Sequence, residues 1–180
     1  MTDSTKAAET EGSSQPDDRE LERREFAEQF GVAWAQTGGP RMEGRVIGYL
    51  MVMREPYISL SDLAAVLNAS AGSVSTTTRR LLDTGFIRRH VIPGDRNYYF
   101  CAHDDMWGSW LAGERRHLAA QAQMFERQLE LIDGNDSDVA AARRRLTNGR
   151  DYMQWLMGYH KKMLADWEAY KVNRDRGGTS

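Results

Sequence analysis

SLSDLAAVLNASAGSVSTTTRRLLDTGFIRRHVIPGDRNYYF, residues 59–100, is the stretch of this chain that decides its fold. Its first half predicts two short helices joined by a tight turn. Ser59 and Asp62 have the spacing of a capping box in front of an apolar run, which predicts a helix that starts directly after Ser59. Ser70 is placed to cap a second helix, and Gly85 is placed to end it.

The second of these helices has two unlike faces. One face is apolar and should pack inward: Val74, Thr78, Leu81 and Leu82. The other carries hydroxyl and guanidinium groups: Ser73, Ser75, Thr76, Arg79 and Arg80. Ser and Thr hydroxyls bond phosphates or base edges, and Arg binds guanine in a bidentate manner, so this face suits the major groove of DNA.

A basic β-hairpin follows the helix pair. Residues 86–92 predict a strand with Arg88 and Arg89, residues 93–97 a turn with Arg96, and residues 98–101 the returning strand. Helix, turn, helix and basic hairpin in this order predict a winged helix-turn-helix, whose arginines reach a minor groove or a row of phosphates. An ordinary helical domain with one surface hairpin is the alternative, but it does not account for that order.

Long amphipathic segments flank this unit. Pro40 is placed to start a helix after the break TGGP, and Tyr57 and Ile58 predict a short strand that pairs with the hairpin. A helix starting near residue 104 and a last helix of more than thirty residues with a heptad stripe follow the hairpin. Such a stripe needs a partner, which is either the preceding helix, as an antiparallel pair, or a second subunit. Both readings stay open.

The predicted fold class is all-α with a small β-wing: a winged helix-turn-helix flanked by long dimerisation helices. The expected parts are a disordered tail at 1–18, an N-terminal dimerisation helix at 19–37, a DNA-binding domain at 40–102, C-terminal dimerisation helices at 104–172 and a flexible tail at 173–180. Large apolar residues near both ends predict the dimer interface: Phe30, Trp34, Met163, Trp167 and Tyr170.

Composition limits the function. The net charge of −2 at first argues against a nucleic-acid partner, but acidic residues gather in the first twenty positions, whereas 71–97 is locally basic. A single cysteine, Cys101, allows no internal disulfide, and the four histidines lack metal-ligand spacing, so no metal is expected. No signal peptide or apolar run of roughly 20 residues is present, which predicts a cytosolic protein with no membrane partner. Phosphate-binding glycine loops and catalytic constellations are missing as well, so neither an enzyme nor a cofactor is expected.

Three segments resemble the MarR-type winged-helix regulators: GGPRMEGRVIGYLMV (38–52), LSDLAAVLNASAGSVSTTTRRLLDTGFIRR (60–89) and GDRNYYF (94–100). Within that family the chain is similar to the glycine-betaine-pathway repressors and to actinobacterial repressors of membrane efflux transporters. The resemblance implies a homodimer joined by its terminal helices. It also implies a lipophilic effector that enters between the dimer helices and the winged helix and weakens DNA binding.

Carried over position by position, the resemblance implies DNA contacts from one helix and one hairpin. It places Thr77 among the recognition residues and Asp95 in the wing. Because a phosphate repels a carboxylate, Asp95 is expected to brace an arginine rather than to contact DNA. Together with the residue pattern, it predicts this DNA-binding set: Ser73, Ser75, Thr76, Thr77, Arg79, Arg80, Arg88, Arg89, Arg96 and Asn97. The hairpin tip is short for the family, so major-groove contact is the firmer expectation.

Trp and Met are more abundant than a core of this size requires. On the two C-terminal helices they predict an apolar ligand pocket lined by Met106, Trp107, Trp110, Met124, Phe125, Met153 and Trp155. A plain helical core is the alternative. The functional hypothesis is a homodimeric repressor of a transporter gene, which binds an inverted-repeat operator and is released from it by a lipophilic effector. The alternative is a winged-helix module that binds another protein.

Overall fold

The computed structural model describes residues 18–134 and 137–177. The chain divides into two compact units, one up to Met53 and one from Arg54 onward. That division lies inside the expected DNA-binding domain 40–102, whose bounds stay a prediction. Most of the expected N-terminal tail, residues 1–17, lies outside the described residues. None of the described helices is long and apolar enough to cross a membrane.

The first unit is a pair of helices, α1 (Asp18–Gln36) and α2 (Arg41–Val52). Pro40 stands immediately before α2, as predicted, and α2 ends before Pro56 is reached. Glycines on α2 let the two backbones approach closely: a Cβ added at Gly44 would lie 2.5 Å from the Cβ of Trp34 and 2.8 Å from the Cα of Gly31. The glycine spacing that carried the family resemblance is therefore a requirement of helix packing.

Polar contacts join these helices along one side. Glu28 forms ion pairs with Arg41, at 3.0 Å, and with Arg45. The Tyr49 hydroxyl donates to the Glu20 carboxylate at 3.1 Å. Burial raises the pKa of Glu20, but hydrogen bonds from Arg23, Arg24 and Tyr49 outweigh burial and leave the pKa below its ordinary value.

The second unit begins with the predicted helix pair, α3 (Leu60–Val66) and α4 (Ala71–Thr84). Both predicted caps are formed: the Ser59 hydroxyl accepts from the Asp62 N–H at 3.1 Å, and the Ser70 hydroxyl accepts from the Ser73 N–H at 3.2 Å. Gly85 ends α4 in the left-handed region with φ 82°. These contacts are local, which is why the residue types alone predicted them.

A three-stranded antiparallel sheet completes the winged helix. Its strands are β1 (Ile58–Ser59), β2 (Ile87–His90) and β3 (Tyr99–Ala102), in the order β1-β3-β2. The short strand predicted before α3 is therefore present, and Ile58 pairs with Phe100. We call residues 87–102 the wing.

The first wing strand is shorter than predicted, and the second is shifted by one residue. Strand β2 stops at His90, and β3 starts at Tyr99, so Val91, Ile92 and Tyr98 lie outside the ladder. Pro93 has no N–H to donate to a neighbouring strand, and Gly94 takes a left-handed φ of 85°. The chain therefore leaves the strand pairing at His90, before the apolar residues Val91 and Ile92.

The remaining helices are α5 (Met106–Leu131) and α6 (Ser137–Gly177). They form an antiparallel pair, because Gly149 lies against Phe125 near one end and Trp167 bonds Asp105 at the other. The predicted antiparallel packing of the last helix against the preceding helix is therefore confirmed within this chain. Helix α6 contains no buried residue, so much of its surface remains uncovered.

Two predicted boundaries need correction. Helix α6 continues to Gly177, so the flexible tail expected from residue 173 is wrong for 173–177, while 178–180 lie outside the described residues. Ser137 is the first helical residue rather than the cap before it. This end of the helix is polar and includes an exposed ion pair between Arg174 and Asp175 at 2.8 Å, so the apolar stripe alone did not predict it.

Candidate nucleic-acid interface

Helix α4 presents the predicted polar face to solvent. Val74, Thr78 and Leu81 are almost fully buried, and their spacing sends the intervening residues outward. The exposed residues are Ser73, Thr76, Arg79 and Arg80, with Ser75 half-buried. Arg79 makes no hydrogen bond or ion pair with the described part of the chain, so its guanidinium is available to an external acceptor.

Thr77 does not belong to this face. It is only 7 % exposed and lies on the buried side of α4, three residues after Val74 and four before Leu81. That spacing completes an i, i+3, i+4, i+7 buried stripe. The expected DNA contact by Thr77, which the family resemblance implied, is therefore wrong for this chain.

The two arginines of β2 point to opposite faces of the wing. Arg89 pairs with Phe100 and Arg88 with Cys101, and neighbouring residues of a strand alternate in direction. The guanidinium of Arg89 lies 3.9 Å from the ring centroid of Tyr98. Both arginines are exposed, but only Arg89 shares the face that lies toward α4.

Asp95 braces the turn of the wing through Asn97 and Tyr99 rather than through an ion pair with an arginine side chain of the described residues. Its carboxylate accepts from the Asn97 N–H at 2.8 Å and from the Tyr99 hydroxyl at 2.7 Å. These two bonds, with Asn97 the stronger cause, lower the pKa of Asp95, and the bond to Asp95 raises the pKa of Tyr99. The predicted brace to an arginine is wrong, and both Arg96 and Asn97 are exposed at the tip.

An aromatic cluster supports the base of the wing. The Tyr57 ring stacks on His90, with centroids 4.2 Å apart, and meets Tyr99 edge-on at 5.3 Å. Sequence reasoning missed this cluster, although an aromatic residue directly before β1 was a usable signal. The cluster ties the hairpin to the segment that precedes α3, so the wing has a fixed base.

A cleft separates α4 from the wing. It has a volume of about 170 Å³, and its lining includes Ser75 and Arg79 from α4, Arg89, Tyr98 and Phe100 from the wing, and Leu60 from the start of α3. We call it the α4–wing cleft. None of the residues that line it is acidic. Two arginines of the predicted DNA-binding set, Arg79 and Arg89, therefore line one cavity whose walls contain no acidic side chain.

The predicted ligand pocket does not form as one site. Trp107 and Trp110 line an apolar groove of about 340 Å³, but their partners are Met163 and Trp167, which were expected at the dimer interface. We call this the Trp groove. Because a helix rises 1.5 Å per residue, Met124 lies about 25 Å along α5 from Trp107 and cannot share one small pocket with it.

The other members of the predicted pocket are spread over both helices. Met106 is buried, whereas Met124 is 52 % exposed. Phe125 packs on Gly149. Met153 is half-buried, and Trp155, which is 60 % exposed, stacks on Tyr159 with centroids 5.5 Å apart. Sequence periodicity identified the apolar faces but not which turns of the two helices meet.

Asp105 joins the end of the wing to α6 at the edge of the Trp groove. Its carboxylate caps α5 by accepting from the Gly108 N–H at 2.9 Å, and it also accepts from Trp167 Nε1 at 2.8 Å and from Lys171 Nζ at 2.5 Å. Burial raises the pKa of Asp105, but these three bonds outweigh burial and lower the pKa below its ordinary value. The carboxylate therefore stays charged and holds Trp167 in place.

The residues predicted for dimerisation remain partly uncovered. Phe30 and Trp34 stack on each other in α1 with centroids 6.1 Å apart, and both are half-buried in the first unit. Tyr170 is 59 % exposed and stacks on Trp167. Another row of exposed aromatic residues lies earlier in α6: Tyr152, Trp155 and Tyr159. We call these three residues the α6 aromatic row.

Within the described residues, no group of three or more His, Cys, Asp or Glu side chains is placed to hold a metal ion. Cys101 is buried, and its thiol lies 3.8 Å from the carbonyl oxygen of Arg88. Burial raises the pKa of this thiol, which disfavours the reactive thiolate.

Comparisons with known proteins agree with this geometry. Residues 51–97 match the model of the MarR family. The chain is 32 % identical to the HTH-type transcriptional regulator MmpR5 of Mycobacterium tuberculosis (strain ATCC 25618 / H37Rv) over 142 residues, which cover 79 % of this chain and 82 % of that protein. A crystal structure of a transcriptional regulator is similar with a TM-score of 0.71 and 27 % identity, covering 82 % of this chain and 99 % of the other.

The matched residues include α3, α4 and most of the wing, and the relative extends the likeness to most of the chain. This is a likeness to regulators of transcription rather than to enzymes, as the residue pattern predicted. The chain belongs to the MarR family of transcriptional regulators.

Proposed function

We propose that this regulator is a homodimer that binds double-stranded DNA through α4 and the wing and acts as a repressor. The observation that carries the proposal is the convergence of Arg79 and Arg89 on the α4–wing cleft, beside an exposed face of hydroxyl side chains. A helix with such a face suits the major groove, and a basic hairpin beside it suits the neighbouring backbone or minor groove.

The experiment that tests this function is a mobility-shift assay with the DNA upstream of the chain's own coding sequence, followed by footprinting. A two-fold dimer should protect an inverted repeat whose half-sites lie about one helical turn apart. A shift without an inverted repeat would contradict the symmetric mode of binding. No shift at low salt would favour the alternative, a winged-helix module that binds another protein.

The dimer is expected to use apolar surfaces of both units. Leu21 and Val32 on α1 and the α6 aromatic row are exposed in the single chain. Each large apolar side chain contributes about 1.5–3 kcal/mol when it becomes fully buried, so covering these surfaces favours association. Sedimentation at micromolar concentration should give a dimer, and Trp155→Asp should shift it toward monomer.

Arg145→Asp is the matched control for the dimer prediction, because Arg145 is an exposed charged residue of the same helix. We expect this variant to sediment like the wild-type chain. A monomeric wild-type profile would rule out the homodimer. A dimer that persists in Trp155→Asp would place the interface away from the α6 aromatic row.

A lipophilic effector is proposed to enter the Trp groove. At about 340 Å³ the groove lies at the small end of ligand sites, and its walls are almost entirely apolar. One wall, Trp167, is held by Asp105, which lies three residues after β3 ends. A ligand that displaces Trp167 would therefore act directly on the junction between the wing and α5.

Tryptophan fluorescence with fatty acids and fatty alcohols of increasing chain length, run beside DNA competition, tests the effector. We expect saturable quenching and at least a five-fold loss of DNA affinity, the lower end of allosteric coupling. Trp107→Ala should weaken both signals, whereas Met124→Ala, outside the groove, should leave them unchanged. Quenching without loss of DNA affinity would mean a pocket without a switch.

The resemblance to glycine-betaine-pathway and efflux repressors supports a transporter gene as the regulated target. A regulator that binds chromosomal DNA works in the cytosol, in keeping with the single buried cysteine. Derepression of a neighbouring transporter gene on deletion of the chain's gene is the expected result.

A further inference from the structure

A cation–π contact joins Arg89 to Tyr98. The guanidinium carbon lies 3.9 Å from the centre of the Tyr98 ring, and the two residues are diagonal neighbours on one face of the wing, because Arg89 pairs with Phe100. The backbone of Tyr98 is itself anchored, since its carbonyl oxygen accepts from the Leu60 N–H at 3.0 Å. A guanidinium stacked through its face keeps its N–H groups free at the edge.

Arg89 lines the α4–wing cleft, and Arg79 lines it from the side of α4. Two guanidinium groups that line one small cavity repel each other unless an anion lies between them. Ser75 adds a hydroxyl, and no acidic side chain lines the cavity. The arrangement has the donors and the charge that a phosphate group requires.

The position of the cleft indicates which phosphate this is. With α4 in the major groove and the wing over the adjoining minor groove, the strand that separates the two grooves must pass between α4 and the wing. We propose that the α4–wing cleft binds one backbone phosphate of this strand, with Arg79 and Arg89 as donors and Tyr98 as the residue that positions Arg89. This inference rests on the proposed DNA-binding function.

The test measures the affinity of the full chain for a mixed-sequence 30-base-pair duplex over a range of salt concentrations. Arg89→Ala should weaken binding and lower the salt slope by about one unit per protomer. Tyr98→Ala should weaken binding about two- to five-fold, the range of an exposed cation–π contact, whereas Tyr98→Phe should keep wild-type affinity. The double variant should bind like Arg89→Ala, because Tyr98 acts through Arg89.

Arg145→Ala is the matched control, since it removes the same charge from an exposed site on α6. Tyr98 is 53 % exposed, so its variants should unfold at the wild-type temperature. Wild-type affinity in Tyr98→Ala, or equal losses in Tyr98→Ala and Tyr98→Phe, would overturn the positioning role. DNA binding with an unchanged salt slope in Arg89→Ala would overturn the phosphate site alone, and no DNA binding by the wild type would overturn the proposed function with it.

Discussion

DNA binding by the wild-type chain should fall about a thousandfold or more when the salt concentration is raised from 50 to 200 mM, as expected for a dimer that neutralises roughly 6–10 phosphates. The chain carries a net charge of −2, so long-range attraction by the whole molecule is weak. The slope must then come from local cations, such as Arg79 on α4, Arg89 on the wing strand and Arg96 at the wing tip. Fluorescence anisotropy over a salt series measures this slope.

Single-residue variants test which arginines account for the salt dependence of DNA binding. Arg79→Ala and Arg96→Ala should each reduce affinity and lower the slope by about one unit per protomer, since each removes one cation from the DNA-facing surface. Arg145→Ala removes a charge from α6 and should change neither quantity. A shallow wild-type slope, or unchanged binding by Arg96→Ala, would contradict the role assigned to the wing.

Local chemistry explains why the helix-turn-helix was predictable. The caps of α3 and α4 use side chains within three residues of the N–H groups that they bind, and Gly85 ends α4 because a left-handed residue is needed there. The family resemblance pointed to the same segment. The two caps and the end of α4 were therefore confirmed.

The surroundings of individual polar side chains were predicted less well. Thr77 is polar by residue type, yet its position relative to Val74 and Leu81 buries it. Asp95 was expected to pair with an arginine, yet the hairpin brings the Tyr99 hydroxyl to 2.7 Å. Neither outcome follows from residue type alone, because the burial of Thr77 depends on which side of α4 packs inward and the bonds of Asp95 depend on the conformation of the hairpin turn.

The apolar residues of α5 and α6 show the same limit on a larger scale. Helical periodicity correctly identified the stripes that make the two helices pack. It could not fix the relative register of the two helices. Trp107 and Met124 were therefore predicted to line one pocket, although about 25 Å of helix separates them. The structure instead combines Trp107 and Trp110 with Met163 and Trp167, which merges part of the expected pocket with part of the expected interface.

The contact between α4 and α5 was also beyond sequence reasoning, because it depends on residues without side chains. A Cβ added at Gly113 would collide with the carbonyl oxygen of Thr84 and lie 3.0 Å from its carbonyl carbon. At Gly85, where φ is 82°, an added Cβ would lie 2.8 Å from the carbonyl oxygen of Ser109. The end of α4 therefore rests directly on the backbone of α5.

Gly113→Val should destabilise the chain by about 3 kcal/mol, the upper end of the cost of overpacking, which corresponds to about a 150-fold change in the folding equilibrium. The obstacle is the backbone at the end of α4, so it cannot move aside as a flexible side chain would. The clash should push α4 away from α5 and tilt the face that carries Arg79. Urea unfolding followed by tryptophan fluorescence measures the free energy of unfolding.

Gly72→Ala is the matched control, because Gly72 lies in α4 with no atom within 4 Å of an added Cβ. Alanine there should leave stability unchanged or raise it by up to about 1 kcal/mol, because glycine is the poorer helix former. If Gly113→Val unfolds at the wild-type urea midpoint, the close approach of α4 and α5 is not needed for folding. If it is destabilised while Gly72→Ala is not, the backbone contact at Gly113 carries the attachment of the recognition helix to the long C-terminal helices.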